Sequence, residues 1–415
     1  MIVSTRRMLD LVIEDHRIEV PLVHGDASDP RTIQIHASVV SAKRGSTLPY
    51  LLFLQGGPGV EAPFAMRAPS SPSWLSSALR HYRVVMLDQR GTGRSSPIGD
   101  HHLELGTDAL VEYLTHFRAD SIVGDSELLR RELGAQSWSV LGQSFGGFTI
   151  LAYLSRAAES IDQVLITGGL SAVGRTPDDV YRLTYDKMRD ASTRYYRRFP
   201  EHRSAVERLV ELAEAGSLVL PDQEVVSVSR LRSIGLLLGS DDAWHKLWQL
   251  LELPPQSNAF SYDLAAALPY RGRNPLYYVL HESSYADGEV TNWAADRVEP
   301  PDFRADPTLL TGEHVRADWS RTVPAFRPWG EVAAKLARIE WPKLYDAQAI
   351  EASNVSGAAA VYFNDLFVPV EYAMETAKLL PNVTAWVMSD HEHSGLRTGD
   401  VLTRLIDLAS DRAIR

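Results

Sequence analysis

Hydrophobic and polar positions follow two rhythms along the first 170 residues of the chain. Residues from about 10 to 40 alternate between apolar and polar side chains, which is the period of a strand with one buried face. Short, mainly apolar runs follow at 50–54, 84–87, 138–141 and 164–166. Such runs are typical of strands buried on both faces of a parallel sheet. The pattern therefore predicts an antiparallel edge beside a parallel sheet.

Helical spacing fills the gaps between these runs and then dominates the middle of the chain. Apolar positions recur at intervals of three and four between 120 and 133, as on the buried face of a helix. From about 171 to 330 the chain is rich in Arg, Tyr, Trp and Pro and has helical patterns, including one long predicted helix at 180–198. We expect a helical insertion here.

The alternation of strands and helices returns after this insertion. A strand is predicted at 358–363, a helix at 371–380, a second strand at 383–388 and an amphipathic helix from 401 to 406. Strands that alternate with helices form doubly wound α/β sheets. We therefore expect the two ends of the chain to complete one sheet.

The length of the chain agrees with one large core that carries an insertion. With 415 residues, the chain is longer than a single small domain requires. We predict a mostly parallel, doubly wound α/β core formed by residues 1–170 and 336–415, and a helical cap formed by residues 171–335.

Composition and charge exclude several classes of function. The chain has 53 acidic and 42 basic side chains, and this acidic balance argues against a nucleic-acid partner. It has no cysteine, which excludes disulfides, thiolate metal sites and a cysteine nucleophile. It shows neither a secretory leader nor a long apolar run, so we expect a soluble, cytoplasmic protein that does not contact a membrane.

The pentapeptide Gly-Gln-Ser-Phe-Gly at 142–146 is the strongest candidate for chemistry. It directly follows a predicted strand and precedes a run, 148–154, that favours a helix. In a Gly-x-Ser-x-Gly motif, a sharp turn between strand and helix exposes the serine oxygen in a cleft. Ser144 is therefore the predicted nucleophile. The alternative is a tight turn in which the serine only caps the helix.

A serine nucleophile needs a base, and the base needs an acid that fixes its tautomer. Asp365 follows the first strand after the insertion and is our preferred acid, with Asp346 and Asp390 as alternatives. His393 follows the next strand and is our preferred base, with His391 as the alternative. The resulting chain order of Ser, Asp and His is that of α/β-hydrolases.

A metal site at Asp390, His391 and His393 is the weaker interpretation of this segment. Two histidines in one turn commonly face solvent. The His-x-His spacing next to an aspartate is therefore weak evidence for a bound ion. We expect no metal and no organic cofactor.

Two glycine-containing loops follow the first buried strands. Backbone N–H groups of the loop 55–59, Gln-Gly-Gly-Pro-Gly, together with that of Phe145, would form an oxyanion hole, although a plain Gly-Pro turn is the alternative. The loop 88–95 lacks the third glycine of a dinucleotide site and the lysine of a P-loop. We expect Asp88 and Arg90 to brace neighbouring loops through ion pairs instead.

The segments 55–59, 88–95 and 142–147 together resemble the proline iminopeptidase family of α/β-hydrolases, which are serine peptidases that remove an N-terminal proline. The resemblance is clearest from about 48 to 170. It weakens through the predicted cap and the C-terminal segment.

This resemblance implies a site as well as a fold. The triad would be Ser144, Asp365 and His393, and the oxyanion hole would use the amides of Gly57 and Phe145. No cofactor would be required. The substrates would be short peptides that begin with proline.

The sequence also departs from the family's pattern in the substrate pocket. The family usually has histidine at the position of Gln55 and tryptophan at that of Phe145. It holds the substrate's charged amine with cap glutamates. The segment 280–285 matches one of these glutamate segments at Glu282, and Glu252 is a second, weaker match near a tryptophan.

Two other functions stay open at this point. A carboxylesterase or amidase on the same fold is the nearest alternative, because a serine triad does not choose between esters and amides. A ligand-binding protein that retains the fold without catalysis is the second. For Glu282 and Glu252, the alternative to amine binding is an ordinary solvent-exposed position on the surface of a helix.

Overall fold

A single mixed sheet runs through the computed structural model, which describes residues 2–8, 10–66, 72–241 and 243–410. In these residues the sheet has the strand order β1-β2-β3-β5-β4-β6-β7-β8-β9. Its strands are β1 (Ile2–Met8), β2 (Leu11–Pro21), β3 (Thr32–Ala42), β4 (Tyr50–Leu54), β5 (Arg83–Asp88), β6 (Trp138–Gln143), β7 (Ile161–Thr167), β8 (Ser356–Tyr362) and β9 (Val383–Met388).

The strand directions agree with the rhythms of the sequence. Strands β1, β2, β3 and β5 pair antiparallel in that order. From β5 through β4 to β9 every pairing is parallel. The predicted α/β fold class is therefore confirmed, with the alternating segment at its antiparallel edge.

Helices cover the sheet, and each predicted core helix is present with slightly shifted ends. The α-helices outside the insertion are Leu75–Ala78, Thr107–Thr115, Ala119–Glu132, Phe145–Ala157, Ala347–Ala352, Val370–Ala377, Gly395–Thr398 and Val401–Ala409. Short 3-10 helices lie at Asp100–Leu105 and Ala158–Ser160. Within the described residues, no helix combines the length and the apolar character that a membrane crossing requires.

The insertion lies between β7 and β8. Its α-helices are Pro177–Arg198, Glu201–Glu214, Val228–Arg232, Ala243–Glu252, Asn258–Ala267, Pro275–Val279, Ala294–Arg297, Pro301–Ala305, Trp319–Thr322 and Gly330–Leu336. Its 3-10 helices are Ser233–Gly239, Glu282–Tyr285 and Pro324–Trp329. The long first helix begins at a capping box, in which the Thr176 hydroxyl accepts the backbone N–H of Asp179.

The insertion packs against the sheet through two apolar clusters. One cluster, which includes Tyr185, Leu209 and Leu247, lies mainly within the insertion and reaches the sheet layer through Leu366 and Phe367. The other cluster joins later insertion residues to the helices on the sheet; its insertion members include Leu276, Trp319 and Trp329. The division of the chain at residues 170 and 335 stays a prediction.

A buried ion pair anchors the loop after β5. The Arg90 guanidinium, fully buried, donates to both carboxylate oxygens of Asp125 at 2.6 and 2.8 Å. It also donates to the carbonyl oxygens of Leu22 and His116. The loop is therefore tied both to the antiparallel edge and to the helix Ala119–Glu132.

We expect Arg90→Met to destabilise the fold by about 3–5 kcal/mol, because it removes the guanidinium from the buried Asp125 carboxylate and leaves it with the Nε2 atom of His24 at 2.8 Å. The free energy of unfolding in urea measures this loss. The exposed pair of Arg175 and Glu375 provides the control. Arg175→Met should cost less than about 1 kcal/mol, and equal losses in the two variants would contradict the assigned role of Arg90.

Candidate active site

Ser144 lies on the sharp turn between β6 and the helix Phe145–Ala157. Its backbone has φ of 54° and ψ of −123°, a conformation that is strained for a residue with a side chain. The turn is held by the Ser144 N–H, which donates to the Thr167 carbonyl of β7 at 3.0 Å. Strain of about 1–3 kcal/mol at such a position is typical of functional sites.

Close packing of the helix against the sheet explains one glycine of the motif. A Cβ atom on Gly146 would lie 1.9 Å from the Leu54 carbonyl oxygen, so only glycine allows the helix to start here. The helix therefore begins at the carboxyl end of β4. The N–H of Phe145, at the first position of the helix, has no carbonyl partner inside the helix.

The structure joins His393 to Asp365. The Nδ1 atom of His393 lies 2.8 Å from Oδ2 of Asp365, whose side chain is completely buried. The other carboxylate oxygen accepts the backbone N–H groups of Phe367 and Val368 at 2.9 and 3.0 Å. This carboxylate is thus fully hydrogen-bonded in its buried position, as a charge in a protein interior must be.

Ser144 and His393 both pack against the glycine pair that follows β7. A Cβ atom on Gly168 would lie 3.1 Å from Nδ1 of His393. A Cβ atom on Gly169 would lie 2.8 Å from the Ser144 carbonyl oxygen. The two predicted residues therefore contact neighbouring residues of one dipeptide, at the edge of the sheet where the parallel strands end.

The loop 55–59 borders the same place. A Cβ atom on Gly56 would lie 3.1 Å from the Ser144 Cβ atom. At the far end of the loop, Gly59 contacts the insertion, since its Cβ atom would lie 3.1 Å from the Tyr277 nitrogen. Gly57, the predicted oxyanion residue, lies between these two contacts.

The alternative acids and the alternative base have other partners. Asp346 caps the helix Ala347–Ala352 by accepting two backbone N–H groups. Asp390 is exposed. The Nδ1 atom of His391 lies 2.6 Å from Oδ2 of Asp241 in the insertion. Among the candidates that the sequence left open, only Asp365 and His393 contact each other.

Glu313 is a carboxylate that the sequence analysis missed and whose charge acts on His393. Burial raises the pKa of Glu313, while the positive charge of His393 opposes this effect. The Tyr277 hydroxyl donates to Oε1 of Glu313 at 2.7 Å. The preceding Gly312 packs against the ring of Phe367. The sequence holds no clear signal for this residue, because it stands between a glycine and a histidine in a segment without regular spacing.

The charges around His393 act on its pKa in opposite directions. Burial lowers the pKa, but the negative charges of Asp365 and Glu313 outweigh burial and the repulsion from Arg397, so the pKa is raised. The imidazole therefore gains a proton more readily than in water. A base that is to be protonated during a reaction benefits from such surroundings.

Buried polar groups without partners surround Glu313. The His281 ring is almost fully buried, and neither of its nitrogens has a hydrogen-bond partner among the described residues. Its Nε2 atom lies 4.0 Å from Oε2 of Glu313, and burial lowers its pKa to about 3. The hydroxyls of Tyr181 and Tyr270 are likewise buried and unpaired. Unsatisfied polar groups at this density are typical of a ligand site.

Glu282, the preferred amine-binding residue from the sequence, is buried but already hydrogen-bonded. Its two oxygens accept the backbone N–H groups of Ala294 and Ala295 at 3.1 and 3.0 Å. Burial raises the pKa of Glu282 to about 7. The charges of Glu282 and Glu313 both act on Tyr181 and Tyr285, so the two carboxylates flank one aromatic group.

Glu252 has the surroundings of a surface residue. Its side chain is 48% exposed, and its carboxylate lies 2.9 Å from Nε2 of His202. The other nitrogen of His202 contacts the Tyr195 hydroxyl at 2.8 Å. The weak sequence match depends on a nearby tryptophan, and Trp248 is itself partly exposed on the same helix. These surroundings do not favour a role for Glu252 in amine binding, which stays a prediction.

The chain is similar to several known proteins. The α/β-hydrolase fold model matches residues 49–213. A proline iminopeptidase of Aeromonas sobria is 38% identical over 414 residues, covering 96% of each chain. A proline iminopeptidase of Aspergillus aculeatus is 28% identical, covering 95% of this chain and 93% of that protein. A solved esterase from Thermogutta terrifontis is 14% identical, covering 96% of this chain and 98% of that chain with a TM-score of 0.44.

The similarity to the Aeromonas protein extends over nearly the whole of both chains, including the insertion. It confirms the resemblance that was based on three short segments. The chain belongs to the proline iminopeptidase family of α/β-hydrolases.

Proposed function

We propose that this protein is a serine exopeptidase that releases proline from the N-terminus of short peptides. The observation that carries the proposal is the Glu313 carboxylate, whose side chain is only 15% exposed, whose charge acts on the imidazole of His393, and whose Oε2 atom lies 4.0 Å from the His281 ring. A hydrolase that acts on uncharged esters has no need of a second buried negative charge near its base. An exopeptidase needs one, because the free amine of its substrate is cationic.

In the proposed reaction, the Ser144 hydroxyl attacks the prolyl carbonyl carbon while His393 takes its proton. Asp365 holds the imidazole orientation and stabilises the imidazolium that forms. The backbone N–H groups of Gly57 and Phe145 stabilise the tetrahedral oxyanion. His393 then protonates the departing amine, and water releases proline from the acyl-enzyme on Ser144.

The amine of N-terminal proline has two N–H groups when it is protonated. We assign one to Glu313, whose Oε1 atom accepts the Tyr277 hydroxyl and whose Oε2 atom lies 4.0 Å from His281. The second would meet neutral His281, which has two unpaired nitrogens. Glu282 is the second glutamate near this amine site and adds negative potential there. Its hydrogen bonds also keep the helix Ala294–Arg297 in place.

Burial of the site favours small substrates. Ser144 and His393 are 8% and 7% exposed, and the side chain of Glu313, in the insertion, is 15% exposed. A folded protein cannot place its first residue in such a site without unfolding its N-terminal segment. Short peptides enter without this cost, so they are the proposed substrates.

We expect Glu313→Gln to reduce kcat/KM for prolyl-naphthylamide by at least about 30-fold. This corresponds to the roughly 2 kcal/mol that truncating a buried charge pair typically costs. Hydrolysis of p-nitrophenyl butyrate should change by only a few-fold, since this ester has no amine. Steady-state kinetics on both substrates measure the difference.

Two further glutamates serve as matched controls for this experiment. Glu282→Gln should cause a smaller loss on prolyl-naphthylamide, because its oxygens are already hydrogen-bonded. Glu252→Gln should cause none. Strong ester hydrolysis by the wild type without prolyl-amide hydrolysis would contradict the peptidase and favour an esterase. Absence of organophosphate labelling at Ser144 would favour a binding protein.

The pH dependence tests His393 as the base. Its pKa is raised, so labelling of Ser144 by a fluorophosphonate should decline as the pH falls through this raised pKa. Glu313→Gln removes one of the two charges that raise it, while Asp365 and Arg397 remain. The acidic limb of the labelling rate should therefore move to lower pH in this variant. An unchanged limb would show that Glu313 does not act on His393.

A further inference from the structure

A short segment of the insertion, Gly239 to Asp241, binds the loop that carries His393. The backbone N–H of His393 donates to the Gly239 carbonyl at 3.0 Å. The backbone N–H of Asp241 donates to the Ser394 hydroxyl at 3.1 Å. The main chain of the insertion thus binds the catalytic loop at His393 and at the next residue, Ser394.

The Asp241 carboxylate adds three more hydrogen bonds to the same loop. Its Oδ1 atom accepts the backbone N–H of Glu392 at 2.7 Å. Its Oδ2 atom accepts the Thr398 hydroxyl at 2.7 Å and lies 2.6 Å from Nδ1 of His391. Although burial raises the pKa of Asp241, these hydrogen bonds lower it below the ordinary value. Asp241 is therefore ionised, and hydrogen bonds to an ionised group are the stronger kind.

The same segment also contacts the acid of the triad through one aromatic ring. A Cβ atom on Gly239 would lie 2.2 Å from the Phe367 ring, which leaves no room for a side chain. The Phe367 N–H donates to Asp365 at 2.9 Å. Its ring packs edge-on against the His393 imidazole, with centroids 5.2 Å apart. Movement of this segment would therefore displace both partners of the hydrogen-bonded pair.

We propose that Asp241 is a positioning residue for His393: it fixes the loop 391–394 so that the imidazole faces Ser144 and Asp365 together. This inference depends on the proposed function only in taking His393 as the base. Displacement of a catalytic group by about 1 Å typically costs 100-fold in rate. Five hydrogen bonds from two insertion residues, Gly239 and Asp241, are a means of preventing such displacement.

Asp241→Ala tests the proposal, and Asp306→Ala is its matched control. Asp306 is another partly exposed aspartate of the insertion that accepts several hydrogen bonds, but its partners Arg203 and Thr308 both lie within the insertion. We expect Asp241→Ala to lower kcat for prolyl-naphthylamide and the fluorophosphonate labelling rate of Ser144 by roughly 10- to 100-fold. KM should stay within a few-fold, since the amine site is untouched. Asp306→Ala should leave kcat and labelling near the wild-type values.

Asp241→Asn keeps one oxygen for the Glu392 N–H and should restore part of kcat. It replaces Asp241→Ala in the comparison if thermal unfolding shows that the alanine variant does not fold. Equal kcat and labelling in wild type and Asp241→Asn and Asp241→Ala would overturn the positioning role. An equal loss in Asp306→Ala would overturn it too, since it would indicate general destabilisation. A wild-type enzyme that is not labelled at all would overturn the proposed function first.

Discussion

The hydrogen bond between Nδ1 of His393 and Oδ2 of Asp365 is the interaction on which the site depends. A completely buried carboxylate is costly unless each oxygen has a partner, and here two backbone N–H groups and an imidazole provide them. This requirement fixes the turn after β8 and the imidazole orientation at once. Because β8 and β9 are parallel neighbours, the loops that carry acid and base emerge side by side. The sheet topology thus sets the distance between two residues 28 positions apart.

Electrostatics then divides the site into a catalytic part and a recognition part. Two negative charges and the positive charge of Arg397 act on His393, and burial of Glu313 makes its own ionisation unfavourable. A cationic amine beside Glu313 would stabilise the ionised carboxylate and partly cancel its effect on the imidazole. Under the proposed function, the ligand that completes the charge balance is a cation next to the scissile carbonyl, and the N-terminal amine of the peptide is such a cation.

Much of the core could be predicted from the sequence, because regular elements leave periodic signals. The strands from β4 to β9 and the turn at Ser144 follow from short apolar runs and one motif. Glu313 could not be predicted this way, since it lies between helices in a segment where position depends on packing alone. The prediction of Glu252 rests on its distance along the chain from a tryptophan, and it stays a prediction. In an irregular insertion, such a distance does not determine which side chain faces the site.

The insertion starts and ends at the strands that carry the site. It leaves the sheet directly after the Gly168-Gly169 pair, and it returns at β8, whose end leads to Asp365. Within it, Glu313 carries a charge that acts on the imidazole, and Asp241 binds the loop on which the imidazole is carried. If the two proposals hold, recognition of the amine and placement of the base both rely on the packing of one inserted segment against one edge of the sheet. In this arrangement, a change in the insertion that admits a different substrate also alters the position of His393. Substrate choice and placement of the base are therefore not independent.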